Sequence, residues 1–304
     1  MNDNKIIIPP IKSQGIKTKL VPWIQSILPQ KTGRWFEPFM GTGVVAFNAG
    51  FKETYLCDIN PHIINFYNSI KNNDITPHLV RLFLEKEGNI LKNKGEEHYK
   101  FIRDRFNKYF DPLDFLFLSR AGFNGMIRFN KKGGWNIPFC KKINRFNKSY
   151  ITKIVNQVYK VSECITSGWI FECADFKEVI KKAGENDIIY CDPPYFGRYV
   201  DYYNGWTAAD EEGLFKSLNK TKAKFILSIW HHNNYRSNLM IEKYWNIFNI
   251  ITKEHYYHSG GRIENRNSIV EALVYNFELN FSKPVENSLF LSVGNMSKIS
   301  LYLK

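Results

Sequence analysis

Cysteine is scarce in this 304-residue chain, and its five copies (Cys57, Cys140, Cys164, Cys173, Cys191) are odd in number and scattered. No CxxC pair and no Cys/His pair has zinc-ligand spacing, so neither a disulfide framework nor a structural metal is indicated, and a reducing cytoplasm is the expected compartment. Long apolar runs are missing too. Nowhere do ~18 consecutive apolar residues occur, and the apolar run inside the N-terminal MNDNKIIIPPIKSQG is too short for a signal peptide, so nothing is expected to enter or span a membrane. No internal repeat is visible. The most localised absence is of acid. From Phe115 to Ser162 the chain carries ten basic residues (Arg120, Arg128, Lys131, Lys132, Lys141, Lys142, Arg145, Lys148, Lys153, Lys160) and not one Asp or Glu.

What is present is ordinary for a folded enzyme: 44% hydrophobic and 23% charged residues exclude a disordered, collagenous or disulfide-scaffold chain. The length suits two domains, or one α/β domain with an inserted lobe. Forty-two Lys and Arg against 29 Asp and Glu leave a net charge of +13, and aromatics make up 16%, so a polyanion is the first partner to consider. A charge run is usually a solvated face. In the acid-free stretch, however, Phe123, Phe129, Trp135, Phe139 and Phe146 interleave with the bases and with Gly122, Gly125, Gly133 and Gly134. Cations for phosphates, a bidentate Arg for a guanine edge and apolar wedges in glycine-rich loops are what a duplex-reading surface needs. Residues 74–162 are the candidate inserted lobe, between segments 1–73 and 163–304.

Elsewhere apolar runs bounded by turn residues alternate with helical patterns. Arg34 to Phe39, Thr54 to Cys57, Trp169 to Cys173, Asp187 to Cys191 and Lys224 to Trp230 read as buried strands, and Asn246 to Tyr257 and Ser268 to Phe277 as a pair across a loop with Gly260 and Gly261. Val44 to Ala49, closed by Gly50, and Pro61 to Lys71 read as crossover helices; Thr207 with Asp210 and Glu211 opens another, running to about Leu218. The rhythm predicts a mainly parallel, doubly wound sheet.

Two stretches at predicted strand ends carry chemistry. Phe39-Met40-Gly41-Thr42-Gly43 follows a strand and opens a helix, bringing backbone close to a nucleotide-like ligand, although an ordinary strand-to-helix turn accounts for it equally well. Asp58, at the end of the second strand, suits a pair of ribose hydroxyls or a helix cap before Pro61. The sharper signal is Asp192-Pro193-Pro194-Tyr195, directly after an apolar strand; a given tetrapeptide arises by chance in about one chain in 500 of this length. Its prolines stiffen the turn, Asp192 offers an anionic acceptor and Tyr195 a ring face, a set able to grip a planar group bearing an amino substituent. His231 and His232, after the strand from Lys224, read as loop residues because neighbours on a strand point oppositely. His255 and His258 have no Cys or carboxylate at ligand spacing. Gly260-Gly261-Arg262 with Arg266 reads as a basic loop near a DNA backbone or a solvated hairpin.

Over residues 11 to about 277 the chain resembles the Dam-type adenine-specific DNA methyltransferases, the α-group of N6-adenine enzymes, with the motifs in family order. IKSQGIKTKL (Ile11 to Leu20) resembles the amino-terminal cofactor motif, EPFMGTG (Glu37 to Gly43) the glycine motif, and Asp58-Ile59-Asn60 the ribose-binding segment. SRAGFNGMIRFN followed by WNIPF, within Ser119 to Tyr150, resembles the target-recognition region, Ala174-Asp175-Phe176 the adenine-holding segment, and Asp192 to Tyr195 the catalytic motif. Ser13 stands where the family usually has Trp, and Ile16 replaces its second Gly.

The resemblance implies a seven-stranded, mostly parallel S-adenosylmethionine-dependent methyltransferase sheet with an antiparallel last strand and a mostly helical recognition lobe. It implies methyl transfer from S-adenosylmethionine to adenine N6 in double-stranded DNA after base flipping, with no metal required. Catalysis falls to Asp192, Pro193, Pro194 and Tyr195. Cofactor binding falls to Ser13, Lys17, Phe39, Gly41, Gly43, Asp58, Asp175, Phe176 and Asp192, and DNA contact to Lys12, Arg120, Asn124, Met126, Arg128, Asn136, Pro138, Lys141 and Arg145. Arg128 is the guanine reader and is compatible with a GATC target. A monomer, paired functionally with a restriction endonuclease, is the expected unit. Rival readings are methylation of RNA adenine or of cytosine N4, a catalytically silent DNA-binding module, and a nicotinamide dehydrogenase, whose third fingerprint glycine this chain lacks.

Overall fold

The computed structural model describes residues 5–30, 32–130, 132–196, 205–256, 268–279 and 289–291. After α1 (Val21–Ser26), strand β1 (Trp35–Glu37) turns into the short α2 (Ala46–Ala49), and β2 (Thr54–Asp58) turns into α3 (Pro61–Lys71). A run of helices follows: α4 (Pro77–Lys94), α5 (Glu96–Tyr109), α6 (Pro112–Ala121) and α7 (Lys148–Cys164). Alternation then resumes with β3 (Trp169–Cys173), α8 (Phe176–Lys181), β4 (Ile188–Cys191), α9 (Ala208–Lys220) and β5 (Lys224–Asn233). The order ends with α10 (Leu239–Lys243), β6 (Asn249–Tyr256), β7 (Ser268–Tyr275) and β8 (Leu289–Leu291).

The strands form one sheet in the order β3-β2-β1-β4-β5-β7-β6-β8. β1 to β5 pair in parallel, whereas β7 runs antiparallel between β5 and β6. This is the expected doubly wound, mostly parallel sheet with β7 reversed, and it has one strand more than the expected seven. β8 pairs antiparallel with β6, so chain beyond Phe277 extends the sheet at that edge.

Alternation of side chains between the faces explains why both are covered by helices. Trp35, Leu56, Ile188, Tyr190 and Ile226 enter a core shared with α1, α2 and α3, while Phe36, Tyr55, Cys57, Ile189 and Phe225 enter a second core under α8, α9 and α10. Local chemistry sets the element ends. β1 stops short of the expected Phe39 because Pro38 has no N–H to donate. Asn60, not Asp58, caps α3, accepting from the His62 N–H at 3.0 Å with Pro61 in the first turn. α2 is shorter than Val44 to Ala49 and closes on Gly50 in the left-handed region. Thr207 caps α9 as expected, and Asp210 reaches back to complete a capping box.

The loop expected at the histidine pair is not found. His231 and His232 belong to β5 rather than to a loop, at a register break between Trp230 and His232. A bulge breaks the in-and-out alternation, and the two Nδ1 atoms lie 2.8 Å apart. His255 lies in β6. Lys131, His258, Gly260, Gly261, Arg262 and Arg266 lie outside the described residues.

The stretch from α4 to α7 packs on α3, and its core is continuous with one face of the sheet. His62 of α3 stands 4.9 Å from the rings of both Phe106 and Phe129. Between α6 and α7 the chain makes an irregular hairpin with bridges Phe129–Trp135 and Gly122–Phe139. Among the described residues no helix is long and apolar enough to cross a membrane, and no group of three His, Cys, Asp or Glu could hold a metal.

Candidate active site

In open α/β sheets a ligand site forms at the strands' carboxyl ends where successive connections diverge. Here that point lies between β1 and β4. The turns after β1, β2 and β4 therefore bring EPFMGTG, Asp58 and Asp192 to one edge, as the motifs require.

Gly41 and Gly43 both have left-handed φ angles, +47° and +73°, which explains glycine at each. A Cβ on Gly43 would sit 2.8 Å from the Phe47 ring, whereas one on Gly41 would meet nothing within 4 Å. Gly43 serves packing and Gly41 leaves open space. Asp58 is held from both sides: Oδ2 accepts from the Gly41 N–H and Oδ1 from the Asn60 N–H, each at 2.9 Å. Burial raises its pKa against those bonds.

Lys17 comes from the N-terminal segment. Its Nζ, in a residue only 5% exposed, sits 2.9 Å from Asp192 Oδ1 and 4.8 Å from the centre of the Tyr195 ring. Burial pushes the Asp192 carboxyl up, and the Lys17 ammonium opposes it. The Tyr195 hydroxyl donates to Glu271 Oε2 at 2.6 Å. Glu37, at the end of β1, accepts from the Trp35 indole at 3.0 Å, and burial, with Asp192 and Asp58 adding to it, raises its pKa to about 8. Beside these groups Phe39, Phe176 and Trp206 form an aromatic cluster with centroids 5.3–5.6 Å apart. Trp206 and Trp245 both donate to the buried Glu211, at 2.6 and 2.8 Å. Asp175 is exposed and caps α8 through the Lys177 N–H. Ser13 is half-buried, and its hydroxyl donates to the Gln14 carbonyl.

Glu271 and Trp206 were not singled out from the sequence, Glu211 entered only as a first-turn acid of α9, and Glu37 had no role beyond its motif. Glu271 did leave a trace, as the one charge in the apolar run Ser268 to Tyr275.

The lobe sorts the remaining candidates. Asn124, Asn136, Pro138 and Lys141 are exposed, while Met126 and Arg128 are half-buried; Arg128 Nε donates to Asn136 Oδ1 at 3.0 Å across the hairpin. The stem of Lys12 lies against Gly125, where a Cβ would come within 2.6 Å of it. Burial and Arg145 lower the Lys12 pKa. Arg120 corrects the expectation of a DNA contact. It is 5% exposed, and its guanidinium donates to the Pro9 and Pro10 carbonyls and to Gln157. Arg145 likewise spends Nε on the Arg120 carbonyl and Nη2 on the Tyr150 hydroxyl. Of the interleaved aromatics, Trp135, Phe139 and Phe146 are buried and only Phe123 is well exposed, so most are core rather than wedges.

A family profile described as D12 class N6 adenine-specific DNA methyltransferase matches residues 13–259. The chain is 34% identical to a DNA adenine methylase of Vibrio cholerae over 234 residues, 74% of this chain and 80% of that one. It is 32% identical to that of Haemophilus influenzae over 247 residues, covering 75% and 80%. A type II methyltransferase of Lactococcus lactis aligns at 27% identity over 294 residues, 91% of this chain and 98% of the relative. With its sheet, its strand-end motifs and these relatives in agreement, the chain belongs to the D12 class of N6 adenine-specific DNA methyltransferases.

Proposed function

We propose that the site takes a methyl group from S-adenosylmethionine and, through Asp192, Pro193, Pro194 and Tyr195, delivers it to N6 of an adenine flipped from double-stranded DNA. The observation that carries this reading is Asp192 at the end of β4, ion-paired to buried Lys17 beside the ring of Tyr195. The surrounding residues suit a cationic nucleoside. Asp58 and Asp192 both act electrostatically on Glu37 at this edge, Gly41 leaves space, and Phe39, Phe176 and Trp206 offer ring faces. Asp58 takes the ribose hydroxyls, Asp175 and Phe176 flank the cofactor adenine, and Lys17 with Ser13 meets the carboxylate end. When bound, S-adenosylmethionine supplies an electrophilic methyl on a positively charged sulfur.

The adenine amino lone pair is delocalised into its ring and makes a poor nucleophile. Asp192 and the Pro193 carbonyl accept its two hydrogens and draw the nitrogen toward tetrahedral geometry, while Pro194 keeps the turn rigid. Tyr195 stacks on the base. As positive charge passes from sulfur to nitrogen, Asp192 is the nearby anion that stabilises it and takes up the surplus proton.

Residues 74–162 form the recognition lobe, joined by Lys12. Arg128, oriented by Asn136, reads a guanine edge; Asn124, Met126 and Pro138 approach bases, and Lys141 a phosphate. One chain supplies both site and lobe, which supports a monomer. The type II methyltransferase among the relatives supports pairing with a restriction endonuclease.

The test is long-read methylome sequencing of an AT-rich plasmid from a methylation-deficient host expressing the wild type or Asp192→Ala. N6-methyladenine in a single motif, in the wild type only, is the expected result. A wild-type sample without modified adenine, from soluble protein that binds S-adenosylmethionine, overturns DNA as the substrate. Asp192→Ala should hold duplex affinity within about tenfold, because phosphate contacts dominate binding.

A further inference from the structure

β7 runs between β5 and β6, and its sequence SIVEALVY is apolar but for one acid. Glu271 is fully buried on the sheet face it shares with Leu273 and Tyr275. A carboxylate in such a position is costly unless it is hydrogen-bonded, and a residue that breaks the local pattern marks strain or function. The Tyr195 hydroxyl meets it at 2.6 Å, the length of a charge-assisted O–H···O⁻ bond. The opposing strand is shaped to match: Glu271 faces Trp230 across the ladder, directly before the register break in β5. Thus the far end of the Tyr195 ring is tied to the sheet interior, while Lys17 lies over its face beside Asp192.

We propose that Glu271 is a positioning residue for methyl transfer, fixing the Tyr195 ring by accepting its phenolic hydrogen and placing negative charge behind the ring. An anchored phenol cannot swing when a base stacks on it. An electron-rich ring face also favours the positive charge that arrives on the adenine as the methyl is transferred. The inference rests on the assignment of Tyr195 to the flipped base.

The test is steady-state and single-turnover methylation of a duplex that the wild type methylates, with Glu271→Gln, Tyr195→Phe and the double variant. Each single variant should lose roughly 10- to 100-fold in kcat, with dissociation constants for S-adenosylmethionine and duplex within about threefold of the wild type. The double variant should fall no more than about threefold below the more impaired single one, since both remove the same charge-assisted bond, Glu271→Gln by leaving only a neutral acceptor. A merely structural Glu271 would give multiplicative losses or weaker cofactor binding, and either overturns the proposal. Should Glu271→Gln fail to fold, Tyr195→Phe decides alone: an unchanged kcat overturns it. A wild type that methylates no duplex strikes the assignment of the reaction instead, so the two failures are distinguishable.

Discussion

The sheet edge and the lobe treat their charged residues in opposite ways. At the edge, side chains that the motifs single out converge within hydrogen-bonding reach of one another: Asp58 on Gly41, Lys17 on Asp192. In the lobe, a stretch that reads as one uniform basic surface is divided by packing. Arg120 turns inward and Arg145 braces it from behind, while Lys141 and Asn136 stay outside. Strand ends and tight turns are local devices that fix where a side chain points. A helix and an irregular hairpin leave that choice to tertiary contacts, so charge density alone cannot separate a reader from a strut.

The hardest way to break this contrast is to treat Arg120 as the DNA contact it first resembles. Arg120→Ala should instead destabilise the fold by about 3–5 kcal/mol, because it orphans two carbonyls and Gln157 in a buried site. Denaturant unfolding checks this, and wild-type stability with weakened DNA binding would reverse the assignment.

Glu37 tests the edge in the same way. Its carboxyl is raised from 4.5 to about 8, chiefly by burial. A raised folded pKa means that the native state binds the proton more tightly, so the associated stability is fully present below about 4.5 and is lost as pH rises toward 8. Glu37→Gln keeps an acceptor for the Trp35 indole and removes the titration. The stability difference between pH 5 and pH 8 should shrink by a few kcal/mol relative to wild type; parallel pH profiles for the two proteins would show that Glu37 is ionised throughout.

Much of the edge was legible beforehand, and for a physical reason. Pro61 to Lys71 is a helix over the predicted residues because Asn60, Pro61 and its apolar spacing agree, and Asp192 sits where an apolar strand must end. What stayed hidden is carried by partners distant in sequence. Glu271 lies 76 residues from Tyr195, and Glu211 earns its place only through Trp206 and Trp245. The histidine pair was misread because a bulge, set by the partner strand, suspends the alternation on which the inference relied.

Within the lobe, Arg128 and Arg120 make the sharpest pair. Arg128→Ala removes a half-buried side chain whose Nε donates to Asn136 on the hairpin, so its stability loss should be smaller than that of Arg120→Ala. The functional loss should appear in discrimination, about 1–3 kcal/mol at one base pair of the target. Methylation rates across a set of single-base variants of the site measure it; a uniform loss across all sequences would make Arg128 a phosphate contact.

The smallest effect separates Lys141 from both arginines. Lys141 is exposed, in a left-handed backbone conformation at the end of the hairpin, where its charge meets water in the absence of a polyanion. If it neutralises one phosphate, Lys141→Gln should leave stability and sequence preference intact and reduce the slope of log affinity against log salt by about 0.9, the share of one released counterion. Fluorescence anisotropy over a salt series reads this slope. An unchanged slope would move the duplex off this end of the lobe and leave the part of the hairpin around Arg128 and Asn136 as its footprint.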